Sequence, residues 1–251
     1  MELGLRGRTV LVTGATGGIG QALARAFAAE GAKVGLAYRT GREAAEKLAA
    51  ELPGGGALAV RYALDEAGSP AAAVAAVEAG LGPVDVLVAN AVRRGRRRPP
   101  GTPFEDVPPR EWEPVVTANL APVIRTAQLV LPGMRRRGWG RIALISSHNV
   151  RDGAPGQEFY GAAKAGLHGL ARSLAWDTGR DGVLVNVVCP GLTATDGVLR
   201  DLPAPVRERE IARTPTGRLS TPAQVAAAVV FLCSAANEGI TGESVTVAGG
   251  R

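Results

Sequence analysis

Two cysteines, two histidines and two methionines are all that the 251 residues contain of those types, and phenylalanine, tyrosine and tryptophan together make up only 4%. Cys189 and Cys233 are far apart and fit no metal-ligand spacing. Two cysteines cannot build a disulfide framework, so both read as buried free thiols. His148 and His168 also lack a partner at ligand spacing, and no metal is assigned. The shortage of aromatics excludes a stacking face for RNA and assigns Trp139 and Trp176 to packing surfaces. Apolar runs such as Ala226–Cys233 and Val84–Val92 are far shorter than the roughly 20 residues that span a bilayer. Met1-Glu2-Leu3-Gly4-Leu5-Arg6 lacks the basic-then-apolar order of a signal peptide. The expectation is a cytoplasmic protein, not membrane-bound, whose chain folds almost from its first residue.

What the chain has in quantity is aliphatic residue, glycine and arginine. With 46% hydrophobic residues it carries enough apolar material for one ordinary domain, residues 1–251. The formal charge of +6 raises anionic ligands as candidates, but no nucleic-acid module accompanies it. Seven apolar, β-branched runs are expected as strands: Thr9–Thr13, Val34–Tyr38, Ala57–Tyr62, Val84–Ala89, Arg141–Ser146, Val183–Val188 and Ser244–Val247. Helical stretches lie between them at Gly18–Glu30, Arg42–Glu51, Pro70–Ala79, Pro109–Arg137, Glu158–Thr178 and Thr221–Ala235. Near-continuous apolar strands alternating with helices predict an α/β fold: a Rossmann-type doubly wound sheet of about seven parallel strands with helices on both faces. The long, charged, proline-containing segment from Thr193 to Leu219 follows a strand at the ligand-binding edge and is expected to be a mobile lid.

The first strand runs into Thr13-Gly14-Ala15-Thr16-Gly17-Gly18-Ile19-Gly20 and then a helix. Glycines at such a turn let backbone amides approach a pyrophosphate, whose charge is stabilised at the helix N-terminus. An acid that would hold a ribose 2′-hydroxyl is missing after the second strand, where Tyr38-Arg39-Thr40 stands instead. Arg39, with Thr40 or Arg42, is suited to the 2′-phosphate of NADP(H), because a guanidinium offers phosphate a planar fork. Farther on, Tyr160 and Lys164 are offset by one helical turn on one face, and Lys164 is one of three lysines in the chain. A phenol with a reference pKa near 10 needs a neighbouring cation to act as acid or base near neutrality. Ser147 ends the fifth strand, thirteen residues before Tyr160, and Asn119 sits mid-way along the preceding long helix.

From Thr9 to Gly250 the chain resembles the short-chain dehydrogenase/reductase family. The resemblance rests on the glycine turn, on Asn119, Ser147, Tyr160 and Lys164 as the catalytic set, and on Pro190-Gly191 followed by Thr193 and Thr195. It implies that Tyr160 donates a proton to a carbonyl oxygen held by Ser147, that Lys164 lowers the phenol pKa and holds the nicotinamide ribose, and that Asn119 anchors a proton-relaying water. It further implies cofactor contacts from Gly14, Thr16, Gly17, Gly18, Ile19, Gly20, Arg39, Thr40, Asn90, Ala91, Tyr160, Lys164, Pro190, Gly191, Thr193 and Thr195. Substrate contacts are expected from Ser147, His148, Val150, Arg151, Tyr160 and Leu192.

Two departures stand out: Val92 replaces the family's glycine, and Ala63 holds the place of an acid that often reads adenine, with Asp65 nearby. Within the family the likeness extends to 3-oxoacyl carrier protein reductases and to angucycline-type aromatic polyketide tailoring ketoreductases. The arginine, alanine and glycine bias suits a high-GC bacterial gene. The expected activity is NADPH-dependent reduction of a bulky cyclic or polyketide-type ketone in secondary metabolism, free or carrier-bound. Alternatives are a 3-oxoacyl-(carrier protein) reductase, an NAD-linked alcohol dehydrogenase and a non-catalytic NADP-binding regulator. Assembly is expected as a homotetramer through the helices Pro109–Arg137 and Glu158–Thr178. The run Arg93-Arg94-Gly95-Arg96-Arg97-Arg98 reads as a solvated loop, with an acidic carrier or anionic substrate as its second reading.

Overall fold

The computed structural model describes residues 2–251. Seven parallel strands form its sheet: β1 (Thr9–Thr13), β2 (Lys33–Tyr38), β3 (Ala57–Arg61), β4 (Val84–Ala89), β5 (Gly140–Ile145), β6 (Val183–Pro190) and β7 (Ser244–Val247). Their spatial order is β3-β2-β1-β4-β5-β6-β7. The order reverses between β1 and β4, which opens a crevice at the carboxyl ends of the strands where ligands bind in such sheets.

Every residue of β1, β4, β5 and β6 is buried. The cause is helical cover on both faces. On one face α1 (Gly18–Ala29) and α9 (Pro222–Leu232) bury Leu23, Phe27, Val225 and Val229 against Val10, Val12 and Leu36. On the other, α3 (Ser69–Leu81), α4 (Pro109–Arg137) and α6 (Glu158–Thr178) bury Val77, Val130, Met134 and Leu167 against Leu11, Leu87 and Leu144. Burial of this apolar surface, worth about 25 cal/mol per Å², drives the assembly. Short helices α2 (Arg42–Glu51), α5 (Asn149–Asp152), α7 (Asp196–Asp201) and α8 (Ala204–Ala212) complete the chain.

Sequence-based boundaries shift by a few residues. β6 runs to Pro190, because Cys189 and Pro190 continue the register with Thr246 and Val247 of β7. α9 stops at Leu232 rather than Ala235, and its start carries a capping box in which Thr221 and Gln224 exchange side-chain and backbone hydrogen bonds. The stretch Thr193–Leu219 contains two helices, α7 and α8, and Ala194 N–H donates to Ser220 O at its base.

α4 is 29 residues long, and by length and composition alone it could cross a membrane, with a mean hydropathy of 1.2 in its most apolar window. Half of that window is buried inside the fold, so it serves as a core helix. Two of its three terminal arginines are engaged within the chain: Arg135 pairs with Asp177 and Asp181, and Arg137 pairs with Asp85 at 3.2 Å. Trp139 packs as expected, under the guanidiniums of Arg8 and Arg141. Trp176 does not pack within this chain and is 92% exposed. Both thiols are buried and free, and burial pushes Cys233 up to about 12, which leaves it inert.

Candidate functional site

The turn after β1 is locked to the end of β4. Thr13 Oγ1 accepts from the N–H groups of Asn90 and Ala91, both at 2.9 Å, while Asn90 Nδ2 donates to the carbonyls of Thr13 and Gly14. Gly14 has φ +66°, and a Cβ there would stand 2.9 Å from Ala91 Cα. A Cβ on Gly20 would overlap the carbonyl oxygen of Gly14. Only glycine permits this close approach of backbone to backbone.

α1 has Gly17 as its N-cap and so no side-chain cap, which leaves its first-turn N–H groups available to an anion. They face a cavity of about 390 Å³ lined by Gly14, Thr16, Gly17, Gly18, Ile19, Gly20, Arg39, Thr40, Asn90 and Ala91, as the sequence predicts. Asp65, Arg93 and Arg94, singled out in the sequence for other reasons, join the lining, as do Tyr62 and Leu64, which no motif announced. Arg39 is exposed and has no carboxylate partner among the described residues. Arg42 is spent on Glu46, one turn along α2 at 2.8 Å. Ala63 is buried, so Asp65 is the carboxylate that reaches this cavity.

An adjoining cavity of about 230 Å³ brings together Ser147, His148, Tyr160, Lys164, Pro190, Gly191, Leu192, Thr193 and Thr195. Ile19, Asn90, Val92, Arg94 and Thr195 line both spaces, which makes them one continuous crevice. Val92 keeps a negative φ, so the departure from glycine costs no backbone strain; its side chain lies where the two spaces meet.

Lys164 is buried and donates from Nζ to Ile145 O at 2.7 Å, with Nζ 6.0 Å from the centre of the Tyr160 ring. Burial lowers its pKa to about 8. Burial likewise pushes the Tyr160 phenol above its ordinary value, opposed by the Ser147 hydroxyl and the positive charge of Arg94. The phenol is therefore protonated at neutral pH. His148 Nδ1 lies 3.3 Å from Pro190 O, and burial lowers its pKa.

Some expected residues stand elsewhere. Asn119 lies outside the cavity lining and grips the β4–α4 loop: Nδ2 donates to Arg93 O and to Val115 O at 2.7 Å, and Oδ1 accepts from Arg93 N–H. Val150 and Arg151 are outside it too, because residues 149–152 coil into α5 and Arg151 turns to Asp152. Asn149 and Gln157 take part instead, joined by a 2.7 Å hydrogen bond. His168, half-buried, bridges the hydroxyls of Ser146 and Ser244 at 2.9 Å each, so both ring nitrogens are satisfied.

Arg98 ties the loop to the start of α6. Its guanidinium reaches Glu158 Oε1 at 2.6 Å and the carbonyl of Thr102, and its N–H donates to Gly156 O. The guanidinium holds Glu158 down to about 2. A lowered carboxylate pKa contributes stability that is present above about pH 4.5 and lost as pH falls towards 2. Wild type should therefore exceed Glu158→Gln in denaturant stability at pH 7, and the difference should vanish by pH 2; a pH-independent difference would refute this linkage.

A family model described as enoyl-(acyl carrier protein) reductase matches residues 14–251. The acetoacetyl-CoA reductase of Shinella zoogloeoides is 38% identical over 97% of this chain and 98% of its own. The chain belongs to the short-chain dehydrogenase/reductase family. Another member, the 3-oxoacyl-(acyl-carrier-protein) reductase FabG of Escherichia coli, is 37% identical over 99% of this chain and 98% of its own. A solved structure, a 7α-hydroxysteroid dehydrogenase complexed with NADH and 7-oxo glycochenodeoxycholic acid, matches with a TM-score of 0.92 and 31% identity, covering 99% of this chain and 96% of that one. This short-chain dehydrogenase/reductase is thus an oxidoreductase whose crevice lies where the sheet topology places it.

Proposed function

We propose that the chain is an NADPH-dependent ketoreductase. The carrying observation is that Ser147, Tyr160 and Lys164 line a single cavity continuous with the uncapped glycine turn, beside which stands the free cation Arg39. The turn amides and Arg39 fit the phosphates of NADP(H), and the bound cofactor supplies the hydride. Ser147 orients the substrate carbonyl oxygen, and Tyr160 gives that oxygen its proton. Lys164 supplies the nearby positive charge, while Asn119 sets the loop behind the site. Helices α7 and α8, of which Val198 of α7 and its N-cap Thr195 line the cavity, act as the lid. The exposed Ile124, Leu129 and Trp176 on the paired helices α4 and α6 support assembly of copies across that face.

A bulky cyclic ketone is the substrate class we favour, and the 7-oxo steroid held by the solved relative supports it. A second reading, a 3-oxoacyl thioester, is favoured by the names of the relatives from Shinella and Escherichia. Oxidation of NADPH and NADH against polycyclic ketones and 3-oxoacyl thioesters separates the two. Arg39→Ala should raise KM for NADPH about tenfold or more and leave KM for NADH nearly constant, the loss of one charge-assisted phosphate contact. Equal effects on both cofactors would refute the role of Arg39. Tight NADPH binding with no ketone turned over would instead indicate a regulator.

A further inference from the structure

A third cavity, of about 430 Å³, adjoins the catalytic one and shares Arg94, Gln157 and Tyr160 with it. Four guanidiniums line it, those of Arg94, Arg96, Arg97 and Arg98, against two carboxylates, Asp106 and Glu111. Arg98 is neutralised by Glu158. Arg94, Arg96 and Arg97 are exposed and have no carboxylate within ion-pair distance among the described residues.

A merely solvated loop needs no anchors, yet this one is held along its length. Asn119 grips both backbone groups of Arg93. Gly95, at φ +69°, lies so close on Val115 that a Cβ would meet its Cγ2 at 2.5 Å. Arg98 is bonded through its backbone to Gly156 and through its side chain to Glu158. Part of the lining is apolar: Val107, Pro108, Val115 and Phe159, the last with its ring stacked against Phe104 and Trp112 at centroid distances of 5.3 and 5.4 Å. Apolar side chains and unpaired arginines lining one cavity, with the Tyr160 phenol at its edge, suit an apolar body that ends in an anion.

We propose that this cavity binds an anionic group of the ketone substrate, a carboxylate or a phosphate ester, and that Arg94, Arg96 and Arg97 make the enzyme select anionic ketones over neutral ones. The inference rests on the ketoreductase reading and extends it to substrate charge.

The test compares matched substrates: a bicyclic ketone carrying a carboxylate against its methyl ester, and a 3-oxoacyl-CoA against the neutral N-acetylcysteamine thioester of the same acyl group. Wild type, Arg94→Gln and the double variant Arg96→Gln/Arg97→Gln are assayed with saturating NADPH. The ratio of kcat/KM, anionic over neutral, should exceed one in wild type, shrink with added salt, and fall about tenfold in the double variant. A fall in the first pair assigns a carboxylate on the substrate body, and a fall in the second a phosphate of the carrier arm. Ratios equal across proteins in both pairs overturn the proposal, as does, in a second series with NADPH varied, a change confined to KM for NADPH. Turnover of the neutral ketones by wild type, lost in Tyr160→Phe, keeps the ketoreductase reading standing in either of those cases; with no ketone turned over, both fall.

Discussion

Tyr160→Phe is expected to lower kcat for ketone reduction about a thousandfold, within the range that a positioned general acid contributes, while Kd for NADPH changes little. The phenol stands beside Ser147 in the cavity that joins the cofactor crevice. Burial keeps it protonated at neutral pH. Phenylalanine preserves the ring and its packing and removes only the donor atom, so a fall in kcat without loss of NADPH affinity separates proton donation from binding. Stopped-flow transfer from NADPH and a fluorescence titration of the cofactor supply the two readouts. Unchanged kcat would remove Tyr160 from the mechanism and leave Ser147 or a water as the acid.

Lys164→Met should abolish most activity and yet make the protein more stable at pH 7. Lys164 is buried, with its ammonium held by the single carbonyl of Ile145. Its folded pKa of about 8 lies below the unfolded value, so the unfolded chain holds the proton more tightly. At pH 7 the charge therefore costs the fold roughly 3 kcal/mol, and this cost is relieved as pH rises from about 8 towards 10.5. Methionine keeps much of the apolar stem and discards the charge. After allowing for the lost hydrogen bond, a net gain of about 2 kcal/mol is expected, or roughly 4–8 °C in Tm. Calorimetry at pH 7 and pH 10 checks the sign: the gain should shrink at the higher pH, where wild type is already neutral at this position. A lower Tm for the variant at pH 7 would overturn it. An unstable charge kept at the floor of the crevice is what a functional lysine predicts and a structural one does not.

The elements were legible because their signals are local. Continuous apolar runs marked the strands, and Thr13 to Gly20 marked the turn, since close backbone contact there admits only glycine. Features that depend on coiling or on distant partners were not. Residues 149–152 form a single turn of helix too short to show a period, so Val150 and Arg151 were expected in a pocket they do not line. Asn119 was legible as a residue but not as the clamp on Arg93, twenty-six positions away. The helix α4 was legible over its whole length, but its burial only the fold could reveal.

By itself, then, the sequence determined the parallel α/β architecture, the glycine turn and the residue types of the proposed catalytic set, all of which follow from periodicity and from chemistry that tolerates few substitutes. The tertiary structure alone decided the rest. It placed Arg94 beside Tyr160, turned Arg42 to Glu46 and left Arg39 unpaired, buried Lys164 until its charge became costly, and held the arginine loop as the wall of a cavity. Those properties belong to pairs of groups brought together from distant strands and helices, and electrostatic energy depends on distance and burial, which no single residue carries in its own name.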